Sequence, residues 1–177
     1  RHTMNIRMIN PGDAPGVRRL FEDTFPAGEA ALVAELAHDL AQQADGSTIT
    51  GIVAEDDQSI MACAVFSRMT YAQGTAVFIL SPMAVHPSLQ GQGIGQNVIR
   101  QGIDALIAAG GEVLVTYGDP AFYSKVGFEL TTTDCLPAPF ELSHPEGWIA
   151  QSLTGETLPV LTGPVRCVGP LDKAELW

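Results

Sequence analysis

Three glycines alternate along one short stretch of the chain, at positions 91, 93 and 95. They follow an apolar run that ends at Val85 and precede a run with helical periodicity, so we expect them between a strand and a helix. Glycine at such a junction leaves backbone N–H groups open to a ligand, because no Cβ atom stands in the way. The first N–H groups of a helix also lack partners within it and carry the positive end of its dipole. The run therefore predicts a site for an anion such as a pyrophosphate.

The spacing of the glycines excludes two common phosphate-binding loops. A Rossmann turn needs a glycine three residues after Gly93, where Gln96 stands. A P-loop needs Gly-Lys followed by Ser or Thr, and the sequence contains no such triplet. A glycine-rich turn that binds nothing is still an open alternative on this pattern alone.

A resemblance to a known family gives the glycine run a more specific meaning. The acetyl-CoA signature of the GNAT superfamily (general-control-related N-acetyltransferases) is similar to the stretch Val85-His86-Pro87-Ser88-Leu89-Gln90-Gly91-Gln92-Gly93-Ile94-Gly95. Gln90, Gly93 and Gly95 fill its three defining places. A second landmark of the family, a tyrosine followed four residues later by Gly-Phe, is matched by Tyr123-Ser124-Lys125-Val126-Gly127-Phe128. The triplet Gly118-Asp119-Pro120 further resembles a subgroup of small acetyltransferases with a Gly-Asp-Pro-x-x-Tyr motif.

The resemblance covers roughly residues 4–133 and implies an acetyl-CoA-dependent N-acetyltransferase. It implies a mixed α/β (α+β) fold with helices flanking a central, mostly antiparallel twisted sheet that has a parallel pair at the CoA cleft. Backbone at 83–85 would pair with the pantetheine arm, the amides of 90–96 would hold the pyrophosphate, and helix 120–126 would flank the arm. The donor-binding residues that follow are Met83, Ala84, Val85, Gln90, Gly91, Gln92, Gly93, Ile94, Gly95, Gln96, Phe122 and Tyr123.

Tyr123 is the predicted catalytic residue. Acetyl transfer to an amine needs a neutral amine, a polarised thioester carbonyl and protonation of the leaving thiolate. A phenol with a reference pKa near 10 can donate a hydrogen bond or a proton to a thiolate whose thiol has a pKa near 8.5. Packing beside Phe122 is the alternative role for this ring. The family implies a backbone N–H near Val85 as the donor to the oxyanion.

The general base is not evident from the sequence. The strand before the glycine run offers only Ser81 as a polar side chain, next to Pro82, which is expected to disturb sheet pairing. A base elsewhere, or water, is left open, and the candidates are Glu29, Glu35, Glu141, His38, His86 and His144. Lacking a base on the strand, we expect direct transfer in a ternary complex.

Cysteine chemistry is the competing mechanism. Cys63 stands among apolar residues and is expected in the core, while Cys135 and Cys167 have no histidine nearby in sequence. Three cysteines without close spacing argue against a disulfide framework and against a zinc site, so we expect no metal. Unpaired cysteines fit a reducing, cytoplasmic compartment.

The elements that must position these groups follow from periodicity and turn residues. Asp13 is expected to cap a first helix carrying Val17, Leu20 and Phe21. A second helix opening at Pro26 should bury the stripe Leu32, Val33, Leu36 and Leu40. The remaining predictions are strands at 4–9, 48–54, 60–68, 76–85, 112–117 and 128–133, a helix at 93–109, helical turns at 120–126, and late strands at 148–153 and 164–168.

Domain organisation follows from length and composition. With 177 residues, 46% hydrophobic and 16% charged, the chain suits one folded domain. We expect the acetyltransferase domain at 4–135, with a proline-rich arm and late strands at 136–177 completing it. Residues 1–3 resemble an expression leader before a native start at Met4.

The charge balance bears on partners. A net charge of −11 argues against nucleic-acid binding and weakly favours a cationic substrate. No apolar run is long enough to span a membrane. The expected partners are acetyl-CoA and an amine acceptor, with a homodimer as the family prior. The alternatives are a non-catalytic acyl-CoA-binding regulatory module and an interaction protein without a CoA site.

Overall fold

The computed structural model describes residues 4–177, so the predicted leader at 1–3 lies outside the described residues. Within this range the strands are β1 (Asn5–Met8), β2 (Ile49–Glu55), β3 (Ile60–Met69), β4 (Val77–Val85), β5 (Val113–Tyr117), β6 (Glu129–Leu130) and β7 (Trp148–Ser152). The α-helices are α1 (Ala14–Thr24), α2 (Ala27–Gln42), α3 (Ile94–Ala108) and α4 (Pro120–Tyr123).

The strands form one seven-stranded sheet in the order β1-β2-β3-β4-β5-β7-β6. β4 and β5 run parallel, whereas β5 with β7 and β6 with β7 are antiparallel. The prediction of a mixed, mostly antiparallel sheet with one parallel pair is therefore confirmed. No helix among residues 4–177 has both the length and the apolar composition that crossing a membrane requires.

The chain divides into two compact units, one of residues up to 66 with 81–102, the other of 67–80 with 103–177. In the first, β1 pairs antiparallel with β2 from Asn5 opposite Glu55 to Met8 opposite Ile52. Its core includes the predicted α1 residues Val17, Leu20 and Phe21, each at most 1% exposed.

Two expectations for the first unit are corrected. Asp13 stands before α1 but makes no capping bond to it, because its carboxylate instead binds the Arg7 guanidinium at 2.7 and 2.8 Å. Leu32 and Val33 are only half-buried. The buried face of α2 consists of Ala34, Leu36, Ala37, Leu40 and Ala41. Small alanines carry this face because α2 packs directly against α1.

In the second unit β5 is the central strand, and its first four residues are buried. It pairs with β4 from Val77–Val113 to Leu80–Thr116 and with β7 from Val113–Ser152 to Tyr117–Trp148. The Trp148 side chain is fully buried, and its Nε1–H donates to Leu136 O at 2.8 Å. Trp148 is thus a core residue of this unit.

Two late strands differ from prediction. The strand expected at 128–133 shrinks to Glu129–Leu130, which pairs with Ile149 and Ala150 of β7. The strand expected at 164–168 is absent, since only Arg166 forms a bridge, with Thr70. The prediction of strand 164–168 was wrong because β-branched residues need a neighbouring strand over several residues to form a ladder.

Candidate active site

The loop between β4 and α3 holds the glycine run. Gly91 and Gly93 adopt φ of +79° and +80°, a left-handed conformation that residues with a Cβ seldom adopt. A Cβ at either position would have no atom within 4 Å. Both residues are exposed. The backbone of the loop therefore requires glycine at both positions, and the space beside them is open.

The start of α3 supplies unpaired donors to this loop. The first helical bond here runs from Asn97 N–H to Gly93 O at 3.1 Å. By helix geometry the N–H groups of residues 94–96 precede that bond and point out of the helix end. No Lys or Arg occurs between positions 83 and 99. An anion at this loop would thus be held by backbone N–H groups and the helix dipole.

Side chains fix the turn that leads from β4 into the loop. The Gln90 amide donates from Nε2 to Val85 O at 3.0 Å, and His86 N–H donates to Met61 O at 2.8 Å. His86 Nδ1 accepts from Ser88 N–H at 3.2 Å. These bonds set the direction in which the chain leaves β4. They also give His86 a turn-forming role.

The Gly-Asp-Pro triplet of the second unit starts α4. The Asp119 carboxylate accepts from Ala121 N–H at 2.9 Å, which makes it the N-cap, and Pro120 occupies the first helical position. The 3₁₀ turn Ser124–Val126 then continues to Gly127, whose φ is +99°. Asp119 and Pro120 thus begin this short helical segment, and Gly127 ends it.

The Gly-Phe pair brings an aromatic ring back onto Tyr123. Because Gly127 takes a left-handed conformation, the chain reverses, and Phe128 N–H donates to Tyr123 O at 3.2 Å. The Phe128 ring packs edge-to-face on Tyr123 with centroids 5.6 Å apart, and Phe122 does so at 5.0 Å. The expected packing of Tyr123 beside Phe122 is therefore present, and Phe128 packs on the same ring.

The phenol of Tyr123 is held in its neutral form. Burial raises its pKa to about 12, the Thr116 hydroxyl opposes that rise, and the charge of Asp119 adds to it. The side chain is only half-buried overall. With its pKa raised, Tyr123 carries its proton throughout the neutral pH range.

A cavity of about 350 Å³ in the same unit is lined by residues of the Gly-Asp-Pro triplet. Its wall includes Gly118, whose Cα is so close to Tyr123 that an added Cβ would stand 2.7 Å from ring carbon Cε2. The lining residues are Tyr117, Gly118, Asp119, Pro120, His144, Glu146 and Gly147. Among the candidate bases, His144 is the one that lines this cavity, and its Nδ1 is 3.6 Å from the Glu146 carboxylate.

The other candidate bases are less specifically placed. Glu29, Glu35 and Glu141 are exposed, and Ser81 is half-buried. His38 Nδ1 lies 3.1 Å from the carboxylate of its neighbour Asp39.

Cys63 and Cys167 are poor nucleophiles. Cys63 is fully buried as expected, and burial raises the pKa of its thiol far above neutrality. Burial also raises the pKa of Cys167, to about 11. All three cysteines are free, and residues 4–177 contain no group of three or more His, Cys, Asp or Glu arranged to hold a metal ion. A thiolate intermediate is disfavoured at Cys63 and Cys167 on these grounds.

The structure brings the predicted residues together in two groups. Met83, Ala84 and Val85 at the end of β4 belong to the first unit, as does the loop 90–96, while Phe122 and Tyr123 belong to the second. The sequence did not reveal Thr116, Tyr117 or Glu146. Thr116 has a visible signal in retrospect, because it is a hydroxyl residue at the carboxyl end of an apolar strand just before the Gly-Asp-Pro triplet.

Comparison with known proteins identifies the family. Residues 47–130 match the model of the Acetyltransferase (GNAT) domain. The chain is 36% identical over 129 residues to the N-acetyltransferase YhbS of Escherichia coli (strain K12), which is 72% of this chain and 74% of YhbS. It is 31% identical over 182 residues to the N-acetyltransferase YjhQ of the same strain, covering 99% of this chain and 98% of YjhQ.

Solved structures agree with the sequence comparisons. The crystal structure of YhbS from Escherichia coli in complex with CoA superposes with a TM-score of 0.81 at 31% identity, covering 98% of this chain and 94% of that one. A GNAT family acetyltransferase from Brucella melitensis in complex with acetyl-CoA gives a TM-score of 0.71 at 26% identity, covering 97% and 100%. The chain belongs to the GNAT family of N-acetyltransferases.

Proposed function

We propose that this protein transfers the acetyl group of acetyl-CoA to an amine of a small molecule or of a protein, by direct transfer in a ternary complex. Its family membership makes it an acyltransferase, and the relatives from Escherichia coli and Brucella melitensis bind CoA and acetyl-CoA. The observation that carries the proposal is the open glycine loop at the start of α3, which requires glycine at 91 and 93 and leaves the space above them free.

Donor binding uses main-chain groups in this proposal. The N–H groups of Gln90–Gln96 hold the pyrophosphate, and a loop without Lys or Arg can do so because the helix end supplies partial positive charge. Backbone at Met83–Val85 pairs with the pantetheine arm. Phe122 and Tyr123 flank the arm. A backbone N–H near Val85 donates to the oxyanion.

The chemistry needs a proton at the departing sulfur. A neutral amine attacks the thioester carbonyl, the C–N bond forms, and the C–S bond then breaks. Tyr123 donates to the developing thiolate, and the proton released by the amine restores the phenol through water. The protonated state of Tyr123 supports this role because the group must arrive at the reaction as an acid. The buried Cys63 thiol supports direct transfer over an acetyl-cysteine route.

Location and assembly belong to the same proposal. The free cysteines of residues 4–177 fit a reducing compartment, so we place the protein in the cytoplasm. We also expect a homodimer, because members of the family often form dimers. Light scattering coupled to gel filtration measures the molar mass in solution.

Release of CoA thiol from acetyl-CoA with a panel of amines tests the activity. We expect turnover with at least one amine, and a loss of about 10²-fold or more in kcat for Tyr123→Phe, as removal of a general acid typically causes. Absence of turnover with every amine, together with binding of acetyl-CoA, would leave the non-catalytic acyl-CoA-binding module as the correct function.

Thermal unfolding tests the donor site separately. Acetyl-CoA at about 100 times its dissociation constant should stabilise the fold by about 2.7 kcal/mol. Gly93→Glu should abolish this shift, since it fills the loop and adds negative charge. Gly155→Glu is the matched control, because Gly155 has the same kind of backbone, with φ +83°, and equally open surroundings. An unshifted melt in the unmodified protein contradicts any CoA site.

A further inference from the structure

A cavity of about 290 Å³ lies within the first unit, where α1, the turn between β2 and β3, and His86 meet. In its wall α1 packs closely on β3, since a Cβ on Gly16 would stand 3.2 Å from Ile60 Cδ1. The same face of α1 brings one basic and one acidic side chain to the cavity, those of Arg19 and Asp23. The cavity therefore offers both signs of charge to a ligand.

His86 places this cavity next to the proposed donor site. It lines the cavity and directly follows Val85, so the Cα atoms of the two residues are about 3.8 Å apart. Its N–H donates to Met61 O at 2.8 Å, and its Nδ1 accepts from Ser88 N–H at 3.2 Å. These bonds fix His86 at the cavity wall. A molecule in the cavity is thus beside the strand end that is proposed to hold the thioester.

The charges of Arg19 and Asp23 are not used within the protein. Within residues 4–177 neither side chain forms a salt bridge or a hydrogen bond. With the arginine on the N-terminal side, the pair also has the less favourable orientation for bonding across one helical turn. Four residues of an α-helix span about 6 Å, so the two groups are spaced to meet opposite ends of one small molecule.

The chemistry of these two groups selects a ligand class. A guanidinium binds a carboxylate through two parallel hydrogen bonds, and a carboxylate binds an ammonium group. The cavity is also small, since sites for drug-sized molecules measure about 300–1,000 Å³. A free amino acid carries both charges on a small frame. A protein N-terminus carries an amide in place of that carboxylate and would leave Arg19 without its partner.

We propose that this cavity is the acceptor site and that it takes a free amino acid, with Arg19 binding the carboxylate and Asp23 receiving the ammonium group. The inference rests on the proposed acetyl transfer and makes its acceptor a small zwitterion. In the reaction the ammonium group first loses a proton to water. Its nitrogen then forms the bond to the acetyl carbon as the C–S bond breaks, and the second proton that it loses balances the one gained by the thiolate. The carboxylate is unchanged.

Amino acids and their amides form matched acceptors for the test, because each pair shares its side chain and its amine but only the acid has the carboxylate. We expect kcat/KM for at least one amino acid to exceed that of its amide about tenfold, as loss of a hydrogen bond to a charged group typically causes. Release of CoA thiol and mass spectrometry of the N-acetyl product measure both rates. Amides that react at least as fast as the acids throughout the panel contradict the inference.

Arg19→Gln removes the guanidinium and is the decisive variant. It should raise KM for the amino acid about tenfold and change KM for the amide and the dissociation constant of acetyl-CoA less than twofold. Arg19→Lys keeps the charge without the paired donors and should give an intermediate KM. Arg18→Gln is the matched control, since Arg18 is the neighbouring arginine of α1 and does not line the cavity. It should leave all three constants unchanged.

Asp23→Asn tests the opposite end of the ligand. It should raise KM for the amino acid and for its amide alike, because both carry the ammonium group. Glu22→Gln, at the preceding exposed position of α1, is the matched control. A general disturbance of the helix would make Arg19→Gln and Asp23→Asn act alike on the two acceptors, whereas the inference requires that only Arg19→Gln distinguishes them.

The outcomes separate this inference from the proposed function. If amines are acetylated but Arg19→Gln changes neither acceptor's KM, the cavity is not the acceptor site and the proposed transfer stands. If Arg19→Gln instead weakens binding of acetyl-CoA, Arg19 belongs to the donor site and the inference is wrong. If no amine of any kind is acetylated, the proposed function is wrong and the acceptor assignment falls with it.

Discussion

Gly118 lies in contact with the ring of Tyr123, and a Cβ on Gly118 would stand 2.7 Å from Tyr123 Cε2, closer than two carbon atoms approach. The backbone of Gly118 is not in a left-handed conformation, so its lack of a side chain is a requirement of space. The first residue of the Gly-Asp-Pro triplet thus sets where the tyrosine ring lies, while the second caps the helix that carries the ring.

We therefore expect Gly118→Ala to displace the Tyr123 ring. Misplacing a reacting group by about 1 Å can cost about 10²-fold in rate, so kcat should fall by about 10- to 100-fold. The fold should persist with a loss of about 1–3 kcal/mol from overpacking. Steady-state kinetics and thermal melts measure both. Gly28→Ala is the control, since nothing lies within 4 Å of its Cβ position, and a folded Gly118→Ala enzyme with unaltered kcat would contradict the assignment.

At Gly102, substitution by alanine should affect only the stability of the fold. A Cβ there would stand 2.1 Å from Cε1 of Phe66, a fully buried ring of β3. Gly102→Ala should lower the free energy of unfolding by about 1–3 kcal/mol, despite the better helix propensity of alanine. The double variant Gly102→Ala with Phe66→Leu should be less destabilised than the sum of the two changes. Additive losses in urea unfolding would show that the two residues do not compete for space.

The sequence predicts a structural feature well when the residues that determine it lie close together along the chain. The sequence located β2, β3, β4 and α3 within one residue at each end, because each is a long run bounded by turn residues. The Tyr-to-Gly-Phe landmark is also local, since Gly127 turns the chain so that Phe128 meets Tyr123. In such features the interacting residues are near each other in sequence, so their spacing is enough to predict the contact.

Features set by distant partners were missed. Asp13 has the sequence position of a helix cap, yet its carboxylate binds Arg7, which also binds Glu55 from 48 residues away. The Thr116 hydroxyl donates to Leu80 O, 36 residues away in sequence, and no local residue pattern encodes that bond. The candidate site was therefore predictable as two signatures, and its internal hydrogen bonds were not.

Thr50 offers a test of unsatisfied polarity in the core. Its Oγ1 is buried without a hydrogen-bond partner, and the residue is 7% exposed in β2. Replacing it with valine removes a desolvated hydroxyl at nearly constant volume, so Thr50→Val should raise the free energy of unfolding by about 1 kcal/mol. Thr116→Val, which instead removes a bonded hydroxyl, should lower it. Denaturant unfolding compares the two, and a loss of stability in Thr50→Val would indicate a partner for that hydroxyl.

The ion pairs of Arg7 should make the free energy of unfolding depend on pH. Its guanidinium binds Asp13 bidentately and reaches Glu55 Oε2 at 2.8 Å. Burial alone would raise the pKa of Asp13, but the hydrogen bonds from Arg7 and from Asn10 N–H outweigh it and lower that pKa. Hydrogen bonds from Arg7 and Asn5 lower the pKa of Glu55 as well.

Carboxylates whose pKa is lowered stabilise the fold at pH values above their reference pKa, near 4. They lose that contribution as the pH falls through the lowered pKa values. Arg7→Met should therefore cost about 1.5–3 kcal/mol at pH 7, and the difference from the unmodified protein should shrink below about pH 4. Arg19→Met, at an exposed position of α1, controls for the lost charge. Urea unfolding from pH 7 to pH 3 measures the difference, and a constant gap over that range would show that the ion pairs do not set the acid limb.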